Sequence, residues 1–260
     1  MKNNKRTTLK IIYEVCNELG ILCESFCDDW VLRLTKDNVK KYVYGYDIGL
    51  NTDSQSKILK DKAALSELMI DEGISCVEHI LFPMPTTLSY LNKDYEYYEK
   101  ILYDLIDDYV VIKPNQGSSG IDVYKTNSIL DAKKILNKIY SYGNACISKY
   151  YEVETEYRVI VFNGNIRICY EKCTDNWIHN LSNGAIPKNV MYDDEIKKIV
   201  KKIYKIIGAP IMAIDIIYAN GKMLILEING GLMVDRFAVN YENYVMAKEL
   251  YKDCIIQLFD

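Results

Sequence analysis

Two carboxylates sit inside the most apolar stretches of this chain. Asp215 lies in Ile211-Met212-Ala213-Ile214-Asp215-Ile216-Ile217, and Glu227 lies in Leu224-Ile225-Leu226-Glu227-Ile228-Asn229. An ionised carboxylate buried without a partner is costly. Either acid could pair with a buried Lys or Arg, or both could share a hard cation. Mg²⁺ suits the second arrangement, because it takes oxygen ligands and often combines carboxylates with phosphates. Asn220-Gly221 between the two stretches marks a hairpin turn. Glu227 and Asn229 are two apart and share a face. A two-residue turn would set Asp215 opposite Leu226 and turn Glu227 to the other face. One extra residue, in the turn or as a bulge, sets Asp215 opposite Glu227. A shared cation therefore requires an odd register, and the expected form is a three-residue turn with Gly221 left-handed.

A second feature is the loop after Tyr109-Val110-Val111-Ile112. That short apolar strand delivers Lys113, and Pro114-Asn115-Gln116-Gly117-Ser118-Ser119-Gly120 follows. Glycines permit close backbone approach, so successive N–H groups can face an anion. Two hydroxyls and a Lys add donors and charge, which suits a polyphosphate. No G-K-[ST] opens a helix here, so this is not a Walker motif. A third feature is Glu156-Tyr157-Arg158 at the start of a strand. Only five Arg occur among 32 basic residues, and one is Arg158.

The pattern around these features is α+β. Helical spacing covers Thr8–Leu19, then a stretch from Asp53 or Ser54 to Glu72, most of Thr86–Asp107, a helix opened by Asn127 or Ser128, Asp193–Ile207 and Glu242–Leu258. Strand patterns cover parts of 21–46, 109–112, 121–124, 145–151, 156–171 and 210–228. Lys172–Asn189 reads as a polar loop. Hydrophobic residues at 49%, charged residues at 26% and a net charge of −4 in 260 residues exclude disorder as a whole-chain description. A weakly acidic chain lacks the footprint of a strong nucleic-acid binder. No apolar run reaches the roughly 18–20 residues of a membrane span, and no export signal follows the basic start Met1–Arg6. The eight Cys form no C-x-x-C pair. They read as reduced thiols in a cytoplasmic protein. With only His79 and His179 present, Ser-His-Asp and Cys-His catalysis are not expected.

Taken in order, the motifs resemble the ATP-grasp superfamily of carboxylate–amine ligases. The ribosomal-protein glutamate ligase, cyanophycin synthetase and glutathione synthetase branches are the most similar. Leu50-Asn51 through Asp61-Lys62, with Gly73-Ile74 following, resembles their "N…DK…L…G-I-P" opening. Val111-Ile112-Lys113-Pro114 with Gly117-Ser118-Ser119-Gly120 resembles their phosphate loop. Glu156-x-Arg158-Val159 resembles "D-x-R-V", and Asp215 with Glu227-x-Asn229 resembles the metal triad. The match runs from about Leu50 to Phe237.

The resemblance implies two α+β lobes clasping ATP. A short N-terminal region would cover 1–52, a lobe carrying the phosphate loop 53–144, and a lobe carrying the metal and substrate site 145–260. Lys62 and Lys113 would grip the ATP phosphates, and the loop Gln116, Gly117, Ser118, Ser119 and Gly120 would close over them. Backbone at Lys149, Tyr150 and Tyr151 would meet adenine, and Glu156 the ribose. Asp215, Glu227 and Asn229 would hold Mg²⁺ (or Mn²⁺). Arg158 and Lys172 would face the γ-phosphate or an acyl phosphate, and Arg236 a substrate carboxylate. The implied reaction activates an amino-acid or peptide carboxylate and joins it to an amine. A small-molecule kinase on the same fold and a non-catalytic ATP-binding regulatory domain are the alternatives. Related ligases are often dimers or tetramers, which leaves a homo-oligomer open.

Three departures stand out. The N-terminal domain is shorter than the family's usual one, Lys149 replaces a common acidic residue, and no Pro-Gly follows Asn229.

Overall fold

A computed structural model describes residues 6–260. Met1–Lys5, most of the basic start, lie outside the described residues. Helix α1 (Thr7–Glu18) leads into an antiparallel meander of β1 (Leu22–Phe26), β2 (Val31–Lys36) and β3 (Val39–Tyr44).

Two helices follow where one was expected. α2 (Asp53–Lys60) is opened by a capping box between Thr52 and Gln55, not by Asp53 or Ser54. α3 (Lys62–Asp71) starts afresh because Asp61 turns extended and caps Ala64 N–H. A cap side chain accepting from the first turn satisfies a donor that helix geometry leaves orphaned.

A four-stranded antiparallel sheet has the order β4 (Ile80–Phe82), β7 (Ala145–Lys149), β5 (Val110–Pro114), β6 (Tyr124–Thr126). It packs on α5 (Tyr95–Leu105) and α6 (Ile129–Tyr140) through Leu102, Ala132, Leu136 and Ile139. The expected Thr86–Asp107 helix is interrupted: α4 (Pro85–Leu88) is a single turn, and α5 restarts at an Asp94 cap. The chain leaves this sheet at Lys149 and enters the next at Thr155.

The largest sheet is antiparallel, in the order β10 (Ile186–Asn189), β9 (Asn165–Cys173), β8 (Thr155–Phe162), β11 (Ile211–Ala219), β12 (Lys222–Asn229). β10 falls inside the segment expected to be a loop. Both faces of the sheet are covered. Val159, Val161, Met212, Ile214, Ile216 and Ile225 meet α2, α3 and α7 (Asp194–Ile207). Ile160, Ile168, Tyr170, Ile211 and Ala213 meet α1, α8 (Tyr241–Phe259) and the meander. Two-sided burial explains why β11 reads as a continuous apolar run and not an alternating one.

The alternation of β8 places Glu156, Arg158 and Ile160 on one face, and that of β9 places Tyr170 and Lys172 there too. One end of that face is the apolar core under α1 and α8; the other end carries charges.

Candidate active site at the sheet crossing

The charged end of the sheet opens into a cleft of about 920 Å³. Every site residue expected from the sequence lines it, from Lys62 and the 113–120 loop, through Lys149–Tyr151, to Asp215, Glu227, Asn229 and Arg236. Arg167, on β9 of the same sheet, does not line it. Arg167 pairs with Asp253 on α8.

The hairpin resolves the register question by a bulge. Asn220 and Gly221 form a two-residue turn with φ of 53° and 67°, the signature of a type I′ turn. Ala219 faces Lys222, and the pairing runs on to Ile216–Ile225. It then shifts, so Asp215 faces Glu227 and Ala213 faces Asn229. The expected three-residue turn is therefore absent. Leu226 is the extra residue, and it puts both carboxylates on the cleft face.

Asp215 is 1% exposed. Arg158 Nε and Nη2 donate to its two oxygens at 2.7 and 2.6 Å. Lys172 Nζ stands 2.9 Å from Oδ1 and also donates to Glu156. A bidentate Arg–carboxylate pair is among the stronger ion pairs. Both oxygens of Asp215 thus meet cations, the pairing that the sequence left open beside a shared metal. Burial opposes the charge on Lys172, but Asp215 and Glu156 outweigh it and raise its pKa. Burial raises Glu156 to about 7, against the pull of Lys172. Glu156, expected at the ribose, lines the cleft with its carboxylate against Lys172 and His179 Nδ1 4.0 Å away.

Glu227 is more open to a ligand. Lys62 and Lys113 stand 3.6 and 3.9 Å from its Oε2, beyond ordinary hydrogen-bond length. Asn229 Nδ2 donates to Oε1 at 3.3 Å. Burial acts to raise the Glu227 pKa, yet Lys62 and Lys113, followed by Lys172 and Arg158, hold it below the usual carboxylate range. Lys113 is lowered by burial, with Glu227 opposing. Among the described residues, no three His, Cys, Asp or Glu side chains gather into a metal cage. Two facing carboxylates and a carboxamide do fit Mg²⁺, which commonly completes its shell with phosphate and water.

The phosphate loop is clamped from two sides. Lys62 Nζ donates to Gly117 O at 2.6 Å, and the α3 N-terminus binds buried Asn115 through Ala63 N–H. Ser182 Oγ donates to Ser119 O at 3.0 Å. Gly120 has φ of +68°, and a Cβ there would lie 3.2 Å from Asn180 and Asn183. At the other edge, Tyr150 N–H donates to Tyr109 O, and the Tyr150 ring meets Trp177 edge-on at 6.3 Å. Lys149 itself is exposed. Arg236 is exposed, and its Nη1 donates to Leu181 O at 3.3 Å.

Sequence reasoning missed the contribution of the first fifty residues. Arg6, Trp30 and Tyr46 line the cleft, and the Arg6 guanidinium stacks on both rings. Tyr46 Oη and Thr8 N–H both donate to Asp235, at 2.6 and 2.7 Å. These contacts span about two hundred residues of chain, and no local motif announces them.

The family of RimK-like ATP-grasp domains matches residues 60–250. The chain belongs to the RimK-like ATP-grasp family. Among curated relatives, the glutamate–LysW ligase ArgX of Sulfolobus acidocaldarius is 24% identical over 188 residues, covering 68% of this chain and 62% of that protein. The tetrahydromethanopterin:α-L-glutamate ligase of Methanococcus maripaludis is 26% identical over 137 residues, covering 50% and 46%. This ATP-grasp chain thus spans less than two thirds of either relative. Among solved structures, the ATP-grasp ligase PsnB complexed with minimal precursor, Mg and ADP superposes with a TM-score of 0.52 at 16% identity, covering 78% of this chain and 61% of that one. That likeness extends the ATP-grasp assignment to the fold.

Proposed function

We propose that this protein is an ATP- and Mg²⁺-dependent carboxylate–amine ligase. It activates an amino-acid or peptide carboxylate and couples it to an amine. The observation that carries the reading is the meeting in one cleft of Lys62, Lys113 and the Gly-rich loop with the facing carboxylates of a bulged hairpin. Membership of the RimK-like ATP-grasp family and similarity to the two glutamate ligases named above support it.

Phosphoryl transfer asks for positioning and charge neutralisation more than for a protein nucleophile. Lys62 and Lys113 neutralise the phosphates, and the 116–120 loop shields them from water. Mg²⁺ (or Mn²⁺ in its place), when bound, would supply further neutralisation of the phosphate charge. Asp215, Glu227 and Asn229 are its proposed ligands, and Asp215 would share its oxygens between the metal and the cations Arg158 and Lys172. The substrate carboxylate attacks the γ-phosphorus and ADP leaves. Arg158 and Lys172 steady the charge on the acyl phosphate. The amine then attacks the acyl carbon, and phosphate departs as the C–N bond forms. Arg236 at the exposed rim orients the substrate carboxylate.

Two lobes close on the nucleotide, and the N-terminal meander borders the substrate end; β7 pairs with β4 and β5, which favours a division after Lys149 over the expected one at 144/145. Free thiols at all eight Cys suit a cytoplasmic setting. Among the described residues, no helix is long and apolar enough to cross a membrane.

The test is ADP release across amino acids and short peptides, with hydroxylamine present. Hydroxamate formed in step with ADP is the expected result. ADP formed on a hydroxyl substrate, with no hydroxamate, indicates a kinase instead. ATP binding without any turnover indicates a regulatory domain.

A further inference from the structure

His79 is buried, and the chemistry above does not use it. Its Nε2 lies 3.0 Å from the carbonyl oxygen of Leu226, the extra residue of the β12 bulge. A carbonyl can only accept, so Nε2 carries the proton. Nδ1 is then an acceptor, and it is buried without a partner. Burial, then the nearby charge of Lys113, lowers the imidazole pKa to about 3, so the ring stays neutral.

The surroundings explain why a side chain is needed there. The segment ahead of His79 runs parallel beside β12: Ile225 N–H donates to Ser75 O, and Val77 N–H to Ile225 O. This backbone ladder stops where β12 bulges, and an unpaired carbonyl at that depth is unfavourable. The His79 ring reaches the Leu226 carbonyl in place of a main-chain donor. The His79 backbone is itself fixed, since its N–H donates to buried Ser66 Oγ at 3.0 Å. Ser66 lies one turn along the helix that Lys62 opens. A short relay therefore joins the phosphate-side helix to the bulge beside Glu227.

We infer that His79 is a positioning residue: through the Leu226 carbonyl it pins the β12 bulge and so holds the Glu227 carboxylate toward the cleft. The consequence for metal rests on the ligase reading above; the consequence for the bulge does not.

Two variants and two measurements test this. His79→Leu removes the donor at similar volume, and His79→Gln restores an amide N–H. The first measurement is hydrogen exchange over residues 224–229 in the free protein. His79→Leu is expected to exchange faster there than wild type, with α6 unaffected, and His79→Gln to recover protection. The second is binding of a non-hydrolysable ATP analogue with Mg²⁺ and with EDTA. Groups that orient a metal ligand typically change metal affinity by roughly 10–100-fold. His79→Leu is expected to lose about tenfold in the Mg²⁺ condition only, and His79→Gln far less.

Unchanged exchange over 224–229 in His79→Leu overturns the inference, as does an equal loss with and without Mg²⁺. If His79→Leu does not fold, His79→Gln decides: loss of its 224–229 protection overturns the inference, and wild-type protection supports it. A wild type that gains nothing from Mg²⁺ contradicts the ligase reading, and the exchange result still judges the bulge.

Discussion

Asp215 and Glu227 face each other across one pair of strands, yet their surroundings differ. Asp215 is held closely by Arg158 and Lys172, whereas Glu227 keeps its cations at 3.6 and 3.9 Å. Different consequences follow for their removal. Asp215→Ala leaves two buried cations without their main counter-charge, and breaking such a pair from one side costs about 3–5 kcal/mol. Urea unfolding is expected to show a loss of that size. Glu227→Gln keeps the shape and removes one charge, so its effect is pH-dependent. The folded-state pKa of Glu227 is depressed, so its contribution to stability is present above the unfolded carboxylate value of about 4.3. That contribution is lost as pH falls below it. Stability measured from pH 7 downward is expected to fall less steeply below about pH 4.3 in Glu227→Gln than in wild type. Parallel curves would mean that Glu227 is not the group responsible.

At the scale of elements, the hairpin combines a turn legible in sequence with a bulge that is not. Asn220-Gly221 is a local signal, because type I′ geometry needs positive φ at both positions. Gly221 has φ of +67° and open space where a Cβ would stand, so Gly221→Ala meets only backbone strain, about 1–2 kcal/mol. Denaturation is expected to show that loss with nucleotide binding unchanged, since the turn is remote from the bulge. The bulge at Leu226 is fixed by His79, 147 residues earlier, and no local pattern encodes such a partner. The same division holds elsewhere. The Asp193 and Ser128 caps were readable from composition. The break at Asp61 was not, because Asn115 on a distant loop receives the first donors of α3.

At the scale of the whole molecule, three sheets converge on one cleft. The motif order in the sequence carried the phosphate loop and the acid pair, because those residues are set by local chemistry. It did not carry the role of the meander, which reaches the cleft through Tyr46 and Asp235. Tyr46→Phe removes one of the two donors to Asp235, beside Arg236. It is expected to raise KM for the carboxylate substrate several-fold while KM for ATP stays near wild type. Equal changes in both would place Tyr46 in general stability instead. Lys113 sits at the opposite end, only 8% exposed and lowered in pKa by burial. Lys113→Ala is expected to weaken nucleotide binding, read by titration calorimetry, before it affects the carboxylate substrate.

The most direct test of the central claim is coupled ADP and hydroxamate formation, measured side by side in wild type and Glu227→Gln with Mg²⁺, ATP, hydroxylamine and a panel of amino acids and peptides. The expected result is equal amounts of ADP and hydroxamate in wild type, for at least one carboxylate substrate, and neither product in a folded Glu227→Gln. Hydroxamate formation by Glu227→Gln at the wild-type rate would contradict the account.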